Sequence, residues 1–147
     1  MNKNFSYIQP NSYLVKKDAS IYEAMQVIEK GEERVCFIVN DNKKLLKVIS
    51  DGDIRRALLK NQSLNEKVIN IHNNKPKLIK EECIFEDAEK VLSKRILVAP
   101  VVNKNGIIIG VLRHKDIIPQ IDIRSYKVTI IGLGYVGLTL GLVMADQ

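Results

Sequence analysis

The sequence predicts an α/β (α+β) fold built from two copies of one small unit, followed by the first strand and helix of a third unit. Two observations indicate this. The chain matches itself without a gap over about residues 18–54 when it is shifted by 63 residues. Near its end, a short apolar run leads into a glycine-rich turn and a second apolar run. A repeat of this length indicates two units that pack together, because one alone would bury too little core.

Length and composition narrow the class of protein. The chain has 147 residues, enough for one ordinary domain or for two small ones that share a core. With few aromatic residues and no Trp, its core must consist mainly of Ile, Val and Leu. The net charge of +6 is spread along the chain, which indicates a solvated basic surface or attraction to a phosphorylated ligand. No motif indicates a nucleic acid partner.

The two cysteines and the N-terminal residues predict the compartment. Cys36 and Cys83 lie beside apolar residues, and residues 1–17 lack the apolar core of a signal peptide. No run reaches the roughly 18 apolar residues that a membrane span needs. We therefore expect reduced thiols, a cytoplasmic protein and no membrane partner.

Each copy is predicted to run helix, strand, turn, strand, helix. In the first copy, Ser20 and Glu23 form a capping-box pattern and Gly31 ends the helix. A second helix is predicted to start near Asp53. Strands are predicted at 35–39, 45–49, 98–102 and 107–112. The predicted boundaries are an N-terminal segment 1–12, repeats 13–60 and 76–122, a linker 61–75 with two helical turns, and a third unit 126–147.

Three short motifs carry a family resemblance. Residues 46–54 (LKVISDGDI), 99–102 (APVV) and 110–112 (GVL) resemble signatures of the CBS domain. The resemblance covers about residues 10–120. It implies two β-α-β-β-α repeats packed as a pseudo-twofold pair (a Bateman module), which binds AMP, ADP or ATP as a regulatory ligand and self-associates into a homodimer.

The best-formed signature is the Ser-x-x-Asp of the first copy. The resemblance implies that Asp53 binds the ribose of an adenosine nucleotide, that Ser50 contacts the ribose or the α-phosphate, and that Arg55 and Arg56 are candidates for an outer phosphate. An aspartate at a helix start can accept bonds from both ribose hydroxyls, and the helix N-terminus favours a phosphate. The alternative is that Ser50 and Asp53 only cap the helix.

The second copy departs from this signature. Asp116 is present, but Arg113 stands where Ser or Thr is expected. Arg113 could reach a phosphate, or it could fill the pocket and abolish that site. We therefore expect at most two sites, of which the Asp53 site is favoured.

The C-terminal unit has a glycine fingerprint between a strand pattern and a helix pattern. Gly132, Gly134 and Gly137 would supply the tight turn, the close approach to a pyrophosphate and the helix–strand packing of a Rossmann NAD-binding unit. This segment of the sequence resembles the start of nucleotide-sugar 6-dehydrogenases, such as the UDP-glucose and UDP-N-acetylmannosamine dehydrogenases. The acidic residue expected about 20 positions later is absent. This chain alone is therefore not expected to be an enzyme, although a full-length parent would be an NAD-dependent oxidoreductase.

The predicted function is a regulatory adenosine-nucleotide-binding pair fused to such a dehydrogenase. Two alternatives stay open. The pair could be a ligand-free dimerisation scaffold, or it could be associated with a sugar-nucleotide transferase or a sugar-phosphate isomerase.

Overall fold

The computed structural model describes residues 7–116 except residues 32, 74, 84 and 94. Within these residues there are two three-stranded sheets and three α-helices. The strands are β1 Leu14–Lys16, β2 Val35–Val39, β3 Leu45–Ser50, β4 Ile79–Lys80, β5 Val98–Val102 and β6 Ile108–Arg113. The helices are α1 Ile21–Lys30, α2 Asp51–Leu59 and α3 Phe85–Val91, and 3₁₀ turns cover Asn11–Tyr13, Val68–Asn70 and His114–Asp116. The predicted Rossmann unit at 126–147, with Gly132, Gly134 and Gly137, lies outside the described residues.

The two sheets have the same topology. β1 pairs parallel with β2, which pairs antiparallel with β3, and β4, β5 and β6 repeat this order. Each antiparallel pair has a register irregularity, beside Val39 in the first sheet and beside Val102 in the second. These two residues are 63 positions apart, the offset of the sequence repeat. The predicted α/β (α+β) class and the repeated unit are confirmed.

Helix α1 forms for the reasons that the sequence predicts. The Ser20 hydroxyl accepts a hydrogen bond from the Glu23 N–H at 3.1 Å, and the Glu23 carboxylate accepts one from the Ser20 N–H at 2.7 Å. At the other end, the Gly31 N–H donates to the carbonyl oxygens of Val27 and Ile28. Its buried residues are Ile21, Ala24 and Ile28, which belong to the core of the first copy. The capping box and the glycine stop are confirmed.

A pseudo-twofold axis relates the two copies. The core between the sheets contains residue pairs separated by the offset: Val35 and Val98, Val39 and Val102, Leu45 and Ile108, Val48 and Val111. At the hairpin tips, the Leu45 N–H donates to the Gly106 oxygen at 3.0 Å, and the Ile108 N–H donates to the Lys43 oxygen at 3.1 Å. Shifting either bond by 63 residues gives the other. The copies therefore share one core and meet symmetrically.

The segment before each first strand crosses to the other copy. Ile8 forms an antiparallel bridge with Val111 of β6, with N···O distances of 2.9 and 3.0 Å. The linker likewise crosses to β3 of the first copy, but side chains hold it there. The Lys47 Nζ donates to the Ile71 oxygen at 2.6 Å, and the Asn73 amide donates to the Val48 oxygen at 2.6 Å. The predicted two helical turns of the linker are wrong: among its described residues it has the single 3₁₀ turn, since the buried Val68 and Ile71 hold it extended against the first copy.

Candidate functional site

The Ser50–Asp53 signature lies where β3 ends and α2 begins. Ser50 is the N-cap of α2, which starts at Asp51, two residues before the predicted position. The Ser50 hydroxyl accepts a hydrogen bond from the Asp53 N–H at 3.2 Å and donates one to the Asp53 Oδ2 at 2.7 Å. The Ser50 N–H donates to the same Oδ2 at 2.9 Å. The two residues form a complete capping box, so the predicted capping role is confirmed.

Asp53 is held in its ionised form. Partial burial opposes ionisation, but the hydrogen bonds from Ser50 and Arg56 outweigh it, so the pKa of Asp53 is lowered. The Arg56 guanidinium donates to the Asp53 Oδ1 at 2.7 Å. The Asp53 side chain is 16% exposed, whereas that of Arg56 is 68% exposed. Asp53 therefore offers a fixed carboxylate, and its partner on Oδ1 is a side chain that water can reach and replace.

A cleft of about 310 Å³ opens beside this carboxylate. It runs along one face of α2 and is closed on the other side by the linker. Its lining residues are Asp53, Arg56, Ala57, Lys60, Gln62, His72 and Asn73. One carboxylate thus faces two cationic side chains and an imidazole. Such a site can accept hydrogen bonds from hydroxyl groups through its carboxylate and hold an anionic group with its cations.

The two adjacent arginines take different directions. Arg56 lines the cleft, three residues after Asp53 on the same helix face. Arg55 contacts Asp51 at 3.3 Å instead and is not among the lining residues of the cleft. Of the two candidates for an outer phosphate, the structure therefore brings only Arg56 to Asp53.

In the second copy, the residues of the signature bind each other. The Arg113 Nε donates to the Asp116 Oδ2 at 2.6 Å, and another guanidinium nitrogen donates to Oδ1 at 2.9 Å. This bidentate pair occupies both carboxylate oxygens. The hydrogen bonding that Arg113 donates to Asp116 raises the pKa of Arg113 against the opposing effect of partial burial, and the charges of Asp116 and Glu33 raise it further. Arg113 and Asp116 are brought together, but as partners of each other.

Sequence reasoning missed part of the first cleft. Lys60 and Gln62 follow α2, and His72 and Asn73 come from the linker, for which the sequence predicts only a connecting role. A signal was present, because Ile8 and Ile71 are also 63 residues apart. The repeat thus extends upstream of the first strand of each copy. This extended repeat predicts that the segment around Ile8 and the segment around Ile71 have equivalent places in the fold.

Comparisons with known proteins match one family and several longer proteins. The family model of the CBS domain matches residues 2–60 and 68–122. A protein of Helicobacter pylori (strain J99) without an assigned function is 36% identical over 106 residues, 69% of this chain and 32% of that protein. A homoserine O-acetyltransferase of Methanococcus vannielii is 30% identical over 127 residues, 84% of this chain and 24% of that enzyme. The chain spans a third or less of these relatives.

Solved structures share the fold. A CBS domain protein of Pyrobaculum aerophilum complexed with AMP matches with a TM-score of 0.58 and 22% identity, over 97% of this chain and 94% of that one. CBSX2 in complex with AMP matches with a TM-score of 0.59 and 21% identity, over 75% of this chain and 88% of that one. At these identities the likeness establishes the arrangement of the two copies. Among the described residues, no helix is long and apolar enough to cross a membrane.

Proposed function

This chain belongs to the CBS domain family, and from that premise we propose that it is a regulatory module that binds one class of ligand, an adenosine nucleotide, in the cleft beside Asp53. The observation that carries the proposal is the cleft itself. It brings a fixed carboxylate together with Arg56, Lys60 and His72 around a volume of about 310 Å³. This volume lies at the lower end of the range of small-molecule sites, which is about 300–1,000 Å³. It suits a mononucleotide better than a dinucleotide.

Each part of a nucleotide has a matching group in the cleft. The ribose hydroxyls would donate to the Asp53 carboxylate, whose Oδ1 accepts a hydrogen bond from the exposed Arg56. The guanidinium of Arg56, once displaced, can turn to the phosphate, with Lys60 as a second cation. Two structural relatives are described as complexes with AMP, which supports this choice of ligand.

The lengths of the relatives support the proposed regulatory role. Two of them are enzymes, a homoserine O-acetyltransferase and an inosine-5'-monophosphate dehydrogenase, and the chain covers 24% and 29% of these. A nucleotide bound to such a module changes an attached enzyme only if it binds two states of that enzyme with different affinity. For this chain we propose an NAD-dependent nucleotide-sugar dehydrogenase as the attached enzyme, on the glycine fingerprint at Gly132, Gly134 and Gly137. The test is NAD-dependent oxidation of UDP-glucose or UDP-N-acetylmannosamine by the protein that contains this chain, with and without AMP.

The test of ligand binding is calorimetric titration of the chain with AMP, ATP and S-adenosylmethionine. We expect saturable binding of AMP or ATP, and its loss in Asp53→Ala. The matched control is Glu23→Ala, because Glu23 closes the same kind of capping box on α1. A Glu23→Ala variant that binds normally shows that lost capping is not the cause. Binding of none of the three ligands to the folded chain would remove the proposal.

A second candidate, the dimerisation scaffold, is favoured by apolar side chains that α1 and α2 leave in solvent. Tyr22, Met25 and Leu59 are 53%, 37% and 79% exposed. Apolar groups on neighbouring helices are suited to a second copy of the chain. Sedimentation of wild-type chain and of Tyr22→Glu would test this. A dimer that Tyr22→Glu dissociates and Asp53→Ala leaves intact supports a scaffold role that is independent of ligand.

A further inference from the structure

A buried carboxylate joins the two copies on the side of Asp116. Glu33 lies in the loop between α1 and β2 of the first copy, and its side chain is only 8% exposed. The Tyr13 hydroxyl donates to its Oε2 at 2.6 Å. Its Oε1 lies 3.4 Å from the Lys115 Nζ and 3.8 Å from a guanidinium nitrogen of Arg113, both in the second copy. We call Tyr13, Glu33, Arg113, Lys115 and Asp116 the ion cluster.

Arg113 is the centre of the ion cluster. Its guanidinium binds both oxygens of Asp116 and also faces Glu33. Arg113 and Asp116 are each 24% exposed, in contrast to the 68% exposed Arg56 beside Asp53. A bidentate pair at this depth has little freedom to exchange with a ligand, because breaking it would leave Asp116 without the cation that binds both of its oxygens.

The charges of the ion cluster also do not favour binding of an anionic ligand. Its two carboxylates face two cations that already contact them. A phosphate in this place would therefore lie near the carboxylate of Glu33, whose negative charge repels it. In the second copy, the residue at the offset position of Glu33 is the apolar Ile96. The cleft beside Asp53 thus has no equivalent of Glu33 at that place in the repeat.

We propose that the ion cluster is a permanent internal occupant of the second signature, so that each chain binds one nucleotide, at Asp53, and the ion cluster clamps the two copies together at the opposite signature. The proposal rests on the proposed function for its ligand, but the clamp has a consequence of its own. The Asp53 end is the end of the pair that can change when ligand binds. The Asp116 end is fixed in both states.

Stoichiometry tests the ligand half. Titration of the full chain with AMP should give one site per chain. Asp53→Asn should lose it, and the matched variant Asp116→Asn should keep it. Arg113→Ser with Glu33→Gln restores the Ser-x-x-Asp pattern and removes one charge of each sign, so we expect a second site in this double variant. Two sites in the wild-type chain, or loss of binding in Asp116→Asn with retention in Asp53→Asn, would overturn the proposal.

Urea unfolding tests the clamp without ligand. In a double-mutant cycle of Glu33→Gln and Arg113→Ser, which lie in different copies, the unfolding equilibrium constant of the double variant should fall about tenfold short of the product of the single effects. Additive effects would overturn the clamp even if AMP binds. Coupling without any AMP binding would support the clamp and remove the proposed function instead.

Discussion

Replacement of Gly110 by alanine should destabilise the chain, because the ring of Tyr7 lies directly on this glycine. A Cβ at Gly110 would meet the Tyr7 Cγ at 2.7 Å, the Cε2 at 2.6 Å and the Cδ2 more closely still. Ordinary contacts of a Cβ lie at about 3.5–4.0 Å. The ring and the N-terminal segment would have to move, and overpacking of this kind costs about 1–3 kcal/mol. We therefore expect Gly110→Ala to lower the free energy of unfolding by that amount.

The chain contains a matched control at Gly31. A Cβ there would be 3.5 Å from the Val27 oxygen, which is an ordinary contact, and the backbone is extended with φ −89° and ψ 146°. Gly31→Ala should therefore be neutral or stabilise the chain by about 0.4–1 kcal/mol, through the unfolded state. With a stabilising Gly31→Ala, the two variants should differ by at least about 1.4 kcal/mol.

Urea unfolding followed by circular dichroism measures both variants, and Tyr7→Ala completes a double-mutant cycle with Gly110→Ala. If the ring causes the loss, the double variant should be more stable than the sum of the single effects predicts. A Gly110→Ala chain as stable as Gly31→Ala, or strict additivity with Tyr7→Ala, would refute the placement of the N-terminal segment on β6.

Three further predictions concern charge and reactivity. Arg56→Gln should weaken AMP binding about tenfold or more, through loss of a charged hydrogen bond, and leave adenosine binding equal or stronger; parallel titrations check this. The pKa of Asp53 is lowered in the folded chain, so its contribution to stability is full above the unfolded pKa near 3.8 and is lost as the pH falls through the folded pKa. Asp53→Asn should therefore lose less stability than the wild-type chain between about pH 5 and pH 3, as urea unfolding would show. Burial raises the pKa of Cys36 to about 12, so iodoacetamide should modify the partly exposed Cys83 in the native chain and reach Cys36 only after unfolding, as mass spectrometry would show. An equal rate at both thiols would contradict the burial of Cys36.

The parts of the fold that were predictable have strong local signals. The capping box of Ser20 and Glu23, the apolar run of β2 and the 63-residue offset are each visible in the sequence, and each is present in the structure. By contrast, β1 and β4 are three and two residues long, too short for an alternating pattern. They become strands because β2 and β5 offer them a parallel partner, which is a tertiary effect.

The candidate site was predictable only in its first residues. The pattern Ser-x-x-Asp located Ser50 and Asp53. Helix spacing could also have assigned the two arginines to different partners, because Arg56 is three residues from Asp53 and Arg55 is four residues from Asp51. His72 could not be placed by local pattern, because it reaches the cleft through the fold of the linker. Glu33 has no motif at all, and its partners lie about 80 residues away in sequence, which no local spacing could indicate.

The crossed segments make the two copies mutually dependent for folding. Ile8 pairs through its backbone with Val111 of the second sheet, and the linker lies on β3 of the first sheet through side-chain bonds at Ile71 and Asn73. Each sheet is therefore covered at one edge by a segment that precedes the first strand of the other copy. The covalent connection keeps the two halves at a high effective concentration, and it thereby favours exchange within one chain over exchange between chains. A chain cut near residue 67 would lose that advantage. Its halves should then reassemble by mass action, as a domain-swapped pair does, at a rate that depends on their concentration.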